Sequence, residues 1–190
     1  MAAKDLEAMF VQRQELAQEL MRRICKSVLT SAKHHTLLTG PRGIGKTHLV
    51  SLVYHRIRDM DDLNDRILIA WLSEEEWSVT SFLDLLICIF QALQEESNNS
   101  KGVQPSTPIE PVESLYEMSV DAAESAGVAL LKGFIGDRTL LLFVENLDDL
   151  CAGLGKDGQN QLRAFLEENN CIILATAQSY FKDVKQKNSS

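Results

Sequence analysis

Gly40-Pro41-Arg42-Gly43-Ile44-Gly45-Lys46-Thr47 constrains this chain more than any other stretch. It follows the short apolar run Thr36-Leu37-Leu38-Thr39, which reads as a buried strand stopping at Gly40. It precedes a stretch, about 46–58, that places Leu49, Val50, Val53 and Ile57 on one helical face. The order is therefore strand, glycine-rich turn, helix. The spacing matches G-x-x-x-x-G-K-[ST]. Glycines at these positions let the backbone curl without Cβ clashes, so that successive N–H groups point inward at a phosphate. The helix beginning at Lys46 adds its positive end. Lys46 supplies a full charge to the β- and γ-phosphates, and Thr47 offers a hydroxyl to Mg²⁺.

The rest of the chain repeats the alternation. The first thirty residues read as a helix with Leu16, Leu20, Ile24 and Val28 on one stripe. Asp59 to Asp65 reads as an acidic turn, and Arg66 to Leu72 as a second strand. Ser78 or Thr80 would cap a helix carrying Phe82, Leu85, Leu86, Ile89, Phe90 and Leu93. Residues 95–111 are polar and hold three of the four prolines, so they read as a mobile surface loop. A helix is expected from Val112 to Lys132 and a strongly apolar strand from Thr139 to Val144. A helix from about Gly158 to Glu168 and a fourth strand, Cys171 to Thr176, follow. Strands that are apolar along their whole length and alternate with helices imply an α/β fold: a parallel sheet covered on both faces, joined by right-handed crossovers.

Composition narrows the function. The 190 residues carry 19 basic and 27 acidic side chains, a net charge of −8. Phosphate attraction needs a basic surface, so this domain is a poor non-specific nucleic-acid binder. Cys25, Cys88, Cys151 and Cys171 form no C-x-x-C pair and read as reduced thiols, mostly in core contexts. The start MAAKDLEAMF lacks the apolar segment of a secretion signal, and no apolar run reaches the ~20 residues of a membrane span. A cytoplasmic location, or a nuclear one in a eukaryote, is expected. His34 and His35 read as surface groups, Glu74-Glu75-Glu76 as a solvated loop, and Trp71 and Trp77 as core or cover. Arg163 reads as a surface arginine in preference to a trans-acting arginine finger.

The acidic partner of a phosphate loop normally stands at the end of a buried strand. Leu140 to Val144 followed by Glu145 supplies it, to hold the Mg²⁺ shell with Thr47. With these motifs the chain resembles P-loop ATPases of the additional-strand class, the AAA+ and STAND groups, and most of all domains of the origin-recognition/Cdc6-like kind. Phe10-Val11-Gln12-Arg13-Gln14-Glu15-Leu16 is similar to that family's F-V-G-R-x-x-E-L box near the adenine, with Gln12 in place of the glycine. The resemblance covers about residues 9–181.

The resemblance implies a three-layer α/β/α sandwich and a division into residues 1–30 (helix and adenine-side box), 31–181 (ATPase core) and 182–190 (polar tail). It also implies a fifth strand and a helical lid beyond Ser190, so the chain is expected to be a fragment of a longer protein, or a degenerate short version, with the lid absent. The nucleotide contacts it implies are Gly40, Pro41, Arg42, Gly43, Ile44, Gly45, Lys46, Thr47 and His48, with Phe10 and Val11 from the box. The family's second motif usually reads D-E or D-D, whereas this chain has Glu145-Asn146. An amide cannot take a proton from water, so Asp148 is the candidate substitute. Sensor 1 falls on Gln178, with Thr176 second. Neither N/T-K-x-D nor D-x-x-G occurs, which favours adenine over guanine. The expectation is an ATP- and Mg²⁺-binding module, with a homo-oligomer or protein partner, that hydrolyses slowly through Lys46, Glu145, Asp148 and Gln178. The alternative is a nucleotide-dependent scaffold switch with negligible turnover. A small-molecule kinase is disfavoured because no Arg-rich lid follows the third strand.

Overall fold

The apolar runs assemble into one sheet. The computed structural model describes residues 3–73, 79–99, 115 and 117–178. In chain order these are α1 (Ala3–Leu29), β1 (Thr36–Thr39), α2 (Lys46–Arg58), α3 (Asp61–Asn64), β2 (Ile67–Leu72) and α4 (Phe82–Asn99). Then come α5 (Val120–Ile135), β3 (Thr139–Val144), α6 (Leu147–Glu168) and β4 (Cys171–Ala177). The four strands are parallel in the order β1-β4-β3-β2. The last strand thus lies between the phosphate-loop strand and the acid-bearing one.

Because side chains alternate along a strand, each strand feeds two cores. On one face Ile67, Ile69, Leu141, Phe143, Ile172 and Leu174 pack under Ala17, Leu20 and Ile24 of α1, Leu49, Val50, Val53 and Ile57 of α2, and Leu63 of α3. On the other, Ala70, Leu72, Leu140, Leu142, Val144, Cys171, Ile173 and Ala175 pack under α4, α5 and α6. This is the three-layer sandwich. Every residue of β3 and β4 is buried. β1 is only half-buried along its length, against the expectation of a buried strand, because it forms an edge of the described sheet.

Several boundaries differ from the sequence reading. In α1, Leu16 is 44% exposed and Ala17 takes its place in the core. The acidic turn contains the short helix α3. α4 begins at Phe82 and is capped by Ser81, not Thr80: the Ser81 N–H donates to Asp84 Oδ2 (2.9 Å) and the Asp84 N–H to Ser81 Oγ (3.1 Å). Ser78 lies outside the described residues. α4 runs on through Glu95–Asn99, whose polar residues suggested loop. Glu96 there accepts from Tyr54 Oη (2.7 Å) and pairs with Arg58 (3.3 Å) across α2. The remainder of the 95–111 loop, and Trp77, lie outside the described residues.

α5 runs from Val120 to Ile135 and ends before Gly136, which has φ 56°. Of the stretch where a helix is expected to begin, residues 112–114 and 116 lie outside the described residues. α6 is two helical segments joined by a kink at non-helical Gly155 (φ 62°). The segment after the kink matches the helix expected from about Gly158 to Glu168, and the segment before it, from Leu147, stands where the sequence reads as an acidic cluster. Its glycines mislead a sequence reading because they serve packing: a Cβ at Gly153 would collide with the Val79 carbonyl. Trp71 is half-buried and covers the core, stacked on Phe143 at 5.2 Å.

Candidate functional site

In a parallel sheet the C-terminal strand ends share one edge, where ligands of open α/β sheets bind. β1 delivers Gly40 to that edge. The Gly40 N–H donates to the Ala177 carbonyl (3.3 Å), which ties the loop's base to the end of β4. Gly43 (φ 82°) and Gly45 (φ 85°) adopt the left-handed backbone that an L side chain resists, and Gly45 caps α2. The Ile44 N–H closes the turn onto the Pro41 carbonyl (3.4 Å). Lys46 curls over its own loop, with Nζ donating to the carbonyls of Gly40 (2.6 Å) and Pro41 (3.1 Å). The ammonium therefore sits on the loop that the motif assigns to phosphate. Pro41, Arg42, Gly43 and Ile44 are exposed, as are Thr47 and His48 on the first turn of α2.

β3 delivers the acidic cluster to the same edge. The Glu145 N–H donates to the Leu72 carbonyl (3.1 Å), extending the β2–β3 ladder by one bond, and Glu145 is half-buried. Asn146 is buried and left-handed (φ 49°), capping α6. Its N–H donates to Thr176 Oγ1 (3.1 Å). Asp148, on the first turn of α6, accepts the Gln178 N–H on Oδ2 (3.0 Å). Its Oδ1 is buried and has no hydrogen-bond partner among the described residues. The loop, Glu145, Asn146, Asp148, Thr176 and Gln178 thus meet at one end of the sheet. Thr176 is buried and its hydroxyl oxygen is engaged, while Gln178 is exposed. Arg163 is exposed on α6. Phe10 and Val11 lie on α1, and their side chains are outside those described.

Among the described residues no three His, Cys, Asp or Glu side chains group to hold a metal unaided. Thr47 and Glu145 offer oxygen donors from two elements. That set fits a hard cation such as Mg²⁺, which keeps waters and takes phosphate oxygens as its remaining ligands. No disulfide joins the four cysteines. Burial pushes Cys171 up to about 12, and it also raises Cys151, with the Asp148 carboxylate adding to it.

Sequence reasoning missed Arg13. Its guanidinium donates to the Gly45 carbonyl (3.2 Å) and to the Ile44 carbonyl. It fills the space beside Gly45 where a Cβ would stand. The available signal was its place in the Phe10–Leu16 box. Spacing along one helix cannot disclose that α1 packs across α2 and reaches the loop.

A family model described as AAA ATPase domain matches residues 9–174. No sequence among the curated proteins matches the chain. Among solved structures, the Aeropyrum pernix ORC2 protein in its ADPNP-ADP complexes is similar, with a TM-score of 0.56 at 15% identity over 88% of this chain and 41% of that one. The ADP form of the same protein gives 0.55 at 14% identity, over 86% and 40%. C. elegans PCH-2 gives 0.51 at 14% identity, over 92% and 39%. The chain thus spans about two fifths of the length of these structures. Identities this low carry the fold alone: a parallel sheet flanked by helices with a phosphate loop after its first strand. With the family match extending over most of its length, the chain belongs to the AAA ATPase domain family.

Proposed function

We propose that this domain binds ATP with Mg²⁺ and hydrolyses the γ-phosphate slowly, as an AAA+/STAND-type module. One observation carries the reading: Lys46 lies folded onto the Gly40 and Pro41 carbonyls of a loop whose edge of the sheet also receives Glu145. Phosphate oxygens would replace those carbonyls as ammonium acceptors, with stronger, charge-assisted bonds. Thr47 and Glu145 would hold Mg²⁺, which neutralises phosphate charge when bound. Loop amides at the start of α2 would take the remaining phosphate oxygens. Adenine is the preferred base, since both guanine signatures are missing from the sequence. The similar Aeropyrum pernix ORC2 protein was solved in ADPNP-ADP complexes, which agrees with this reading.

Slow turnover follows from Asn146, whose amide cannot accept a proton from water. Asp148 is the neighbouring carboxylate, and one of its oxygens is committed to the Gln178 N–H. This favours, as a second reading, a switch held by nucleotide that turns over negligibly and signals to a protein partner or to a second copy of the chain. Among the described residues no helix is long and apolar enough to cross a membrane. A cytoplasmic or nuclear site of action suits the reduced thiols.

The test is ATP binding by calorimetry with and without Mg²⁺, followed by single-turnover phosphate release from preloaded ATP. Magnesium-dependent binding with slow release supports the ATPase, and binding with no release supports the switch. Failure to bind ATP, or displacement of ATP by GTP at equal concentration, would sink the reading.

A further inference from the structure

The Ile44 and Gly45 carbonyls that Arg13 holds belong to two consecutive peptide units of the phosphate loop. In a planar trans peptide the carbonyl and the N–H point in opposite directions. The Ile44 carbonyl shares its plane with the Gly45 N–H, and the Gly45 carbonyl shares its plane with the Lys46 N–H. A guanidinium that fixes both carbonyls on one side therefore aims both amides to the other. The Gly45 carbonyl also accepts the Leu49 N–H (3.2 Å), so Arg13 uses the carbonyl's second lone pair and leaves the first turn of α2 intact. A planar fork with fixed donors suits this task, whereas an ammonium would hold one carbonyl as a point charge.

Glycine at residue 45 meets two requirements at once. Its φ of 85° is a left-handed conformation, and a side chain there would displace the Arg13 guanidinium. The opposing carbonyls and a neighbouring α1 make a second support for the loop, independent of the lysine.

From this arrangement we propose that Arg13 is a positioning residue: by holding the Ile44 and Gly45 carbonyls it turns the Gly45 and Lys46 amides toward the nucleotide phosphates and so sets diphosphate affinity. This rests on the nucleotide reading above. It also couples α1 to the phosphate loop.

The experiment compares the parent chain with Arg13→Ala and Arg13→Lys, using ADP as the probe. Affinity is read by calorimetry, the Gly45 and Lys46 amides by ¹H–¹⁵N spectra at saturating ADP, and folding by thermal unfolding without nucleotide. Arg13→Ala should weaken ADP binding by roughly 10–150-fold, the range of one lost hydrogen bond to a charged donor. At saturation its Gly45 and Lys46 amide protons should move downfield less than in the parent, and Arg13→Lys should recover part of both effects. Equal affinity and equal amide shifts in Arg13→Ala would overturn the proposal. So would weaker binding with parent-like amide shifts, which would make Arg13 a docking contact for α1 only. If Arg13→Ala fails to fold, Arg13→Lys carries the same comparison. A parent chain that does not bind ADP would overturn the nucleotide reading and this proposal with it. A parent that binds, with unchanged variants, would overturn this proposal alone.

Discussion

Asn146 and Thr176 join the tip of β3 to β4: the Asn146 N–H donates to Thr176 Oγ1 at 3.1 Å, with both residues buried. A second bond of the same kind runs the opposite way, from the Gln178 N–H to Asp148 Oδ2 at 3.0 Å. In each, a side chain on one element accepts from the backbone of the other. The acidic cluster and the end of β4 therefore shift as one piece, and no change at Asn146, Asp148 or Thr176 acts on a single strand. Replacing Thr176 with valine keeps the shape but strands a buried N–H. A loss of about 1–3 kcal/mol is expected in denaturant unfolding, whereas Thr176→Ser should stay within about 1 kcal/mol of the parent.

Lys46→Ala removes an ammonium folded onto the loop carbonyls. ATP affinity should fall by about 1.5–3 kcal/mol in calorimetry, the scale of a charge-assisted hydrogen bond. Far-ultraviolet circular dichroism should be unchanged, because Lys46 is only half-buried at the head of α2.

Asn146→Glu supplies the carboxylate that the family's second motif usually carries. Single-turnover phosphate release should rise, by up to ~10²–10⁴-fold for a well-placed general base. Stability should fall by about 1–2 kcal/mol, because φ is 49° at this position and asparagine tolerates the left-handed region better than glutamate. A faster and less stable variant is the expected pair of outcomes. If Asp148 already accepts the proton, Asp148→Asn will slow release while Asn146→Glu leaves it unchanged.

Asp84 closes the cap of α4. Burial opposes its charge, but hydrogen bonds from the Thr80 backbone and from the side chains and backbone of Ser81 and Thr80 outweigh that and hold the carboxyl below the ordinary aspartate range. The folded value lies below the unfolded one. Its stabilisation is therefore present above the ordinary range and is lost as pH falls through the folded value. Asp84→Ala should cost about 1 kcal/mol at neutral pH and flatten the acid limb of an unfolding curve.

At alkaline pH the sign reverses. Burial raises the Cys171 thiol from 9.0 to about 12, and burial followed by the Glu96 hydrogen bond raises Tyr54 from 10.0 to about 12. Both folded values lie above the unfolded ones. Stability is intact below pH 9 and should decline as pH rises toward 12, since only the unfolded chain ionises easily in that window. Under native conditions Cys171 should be the last of the four thiols labelled by a disulfide reagent, because it is fully buried. Rapid labelling at neutral pH would contradict its placement.

The sequence alone determined the parts that depend on local chemistry. The Gly40–Thr47 spacing requires a left-handed turn ahead of a helix, and Gly43 and Gly45 adopt that backbone. The apolar runs at residues 139–144 and 171–176 read as buried strands, and the strands they form are buried throughout. The start of α6 was not legible, because Asp148 and Asp149 look like loop and yet suit the positive end of a helix. Nor was the glycine at residue 153, since the Val79 carbonyl that crowds it comes from a distant segment. The tertiary structure decided how strand tips and helix ends meet. It set Thr176 under Asn146, Asp148 under Gln178 and Arg13 against the loop, contacts between residues about thirty positions apart. Periodicity tells which face of an element is buried, but not which distant backbone group that face will touch. Only the packing of α1 across α2 brings a guanidinium from the N-terminal helix to the carbonyls of Ile44 and Gly45.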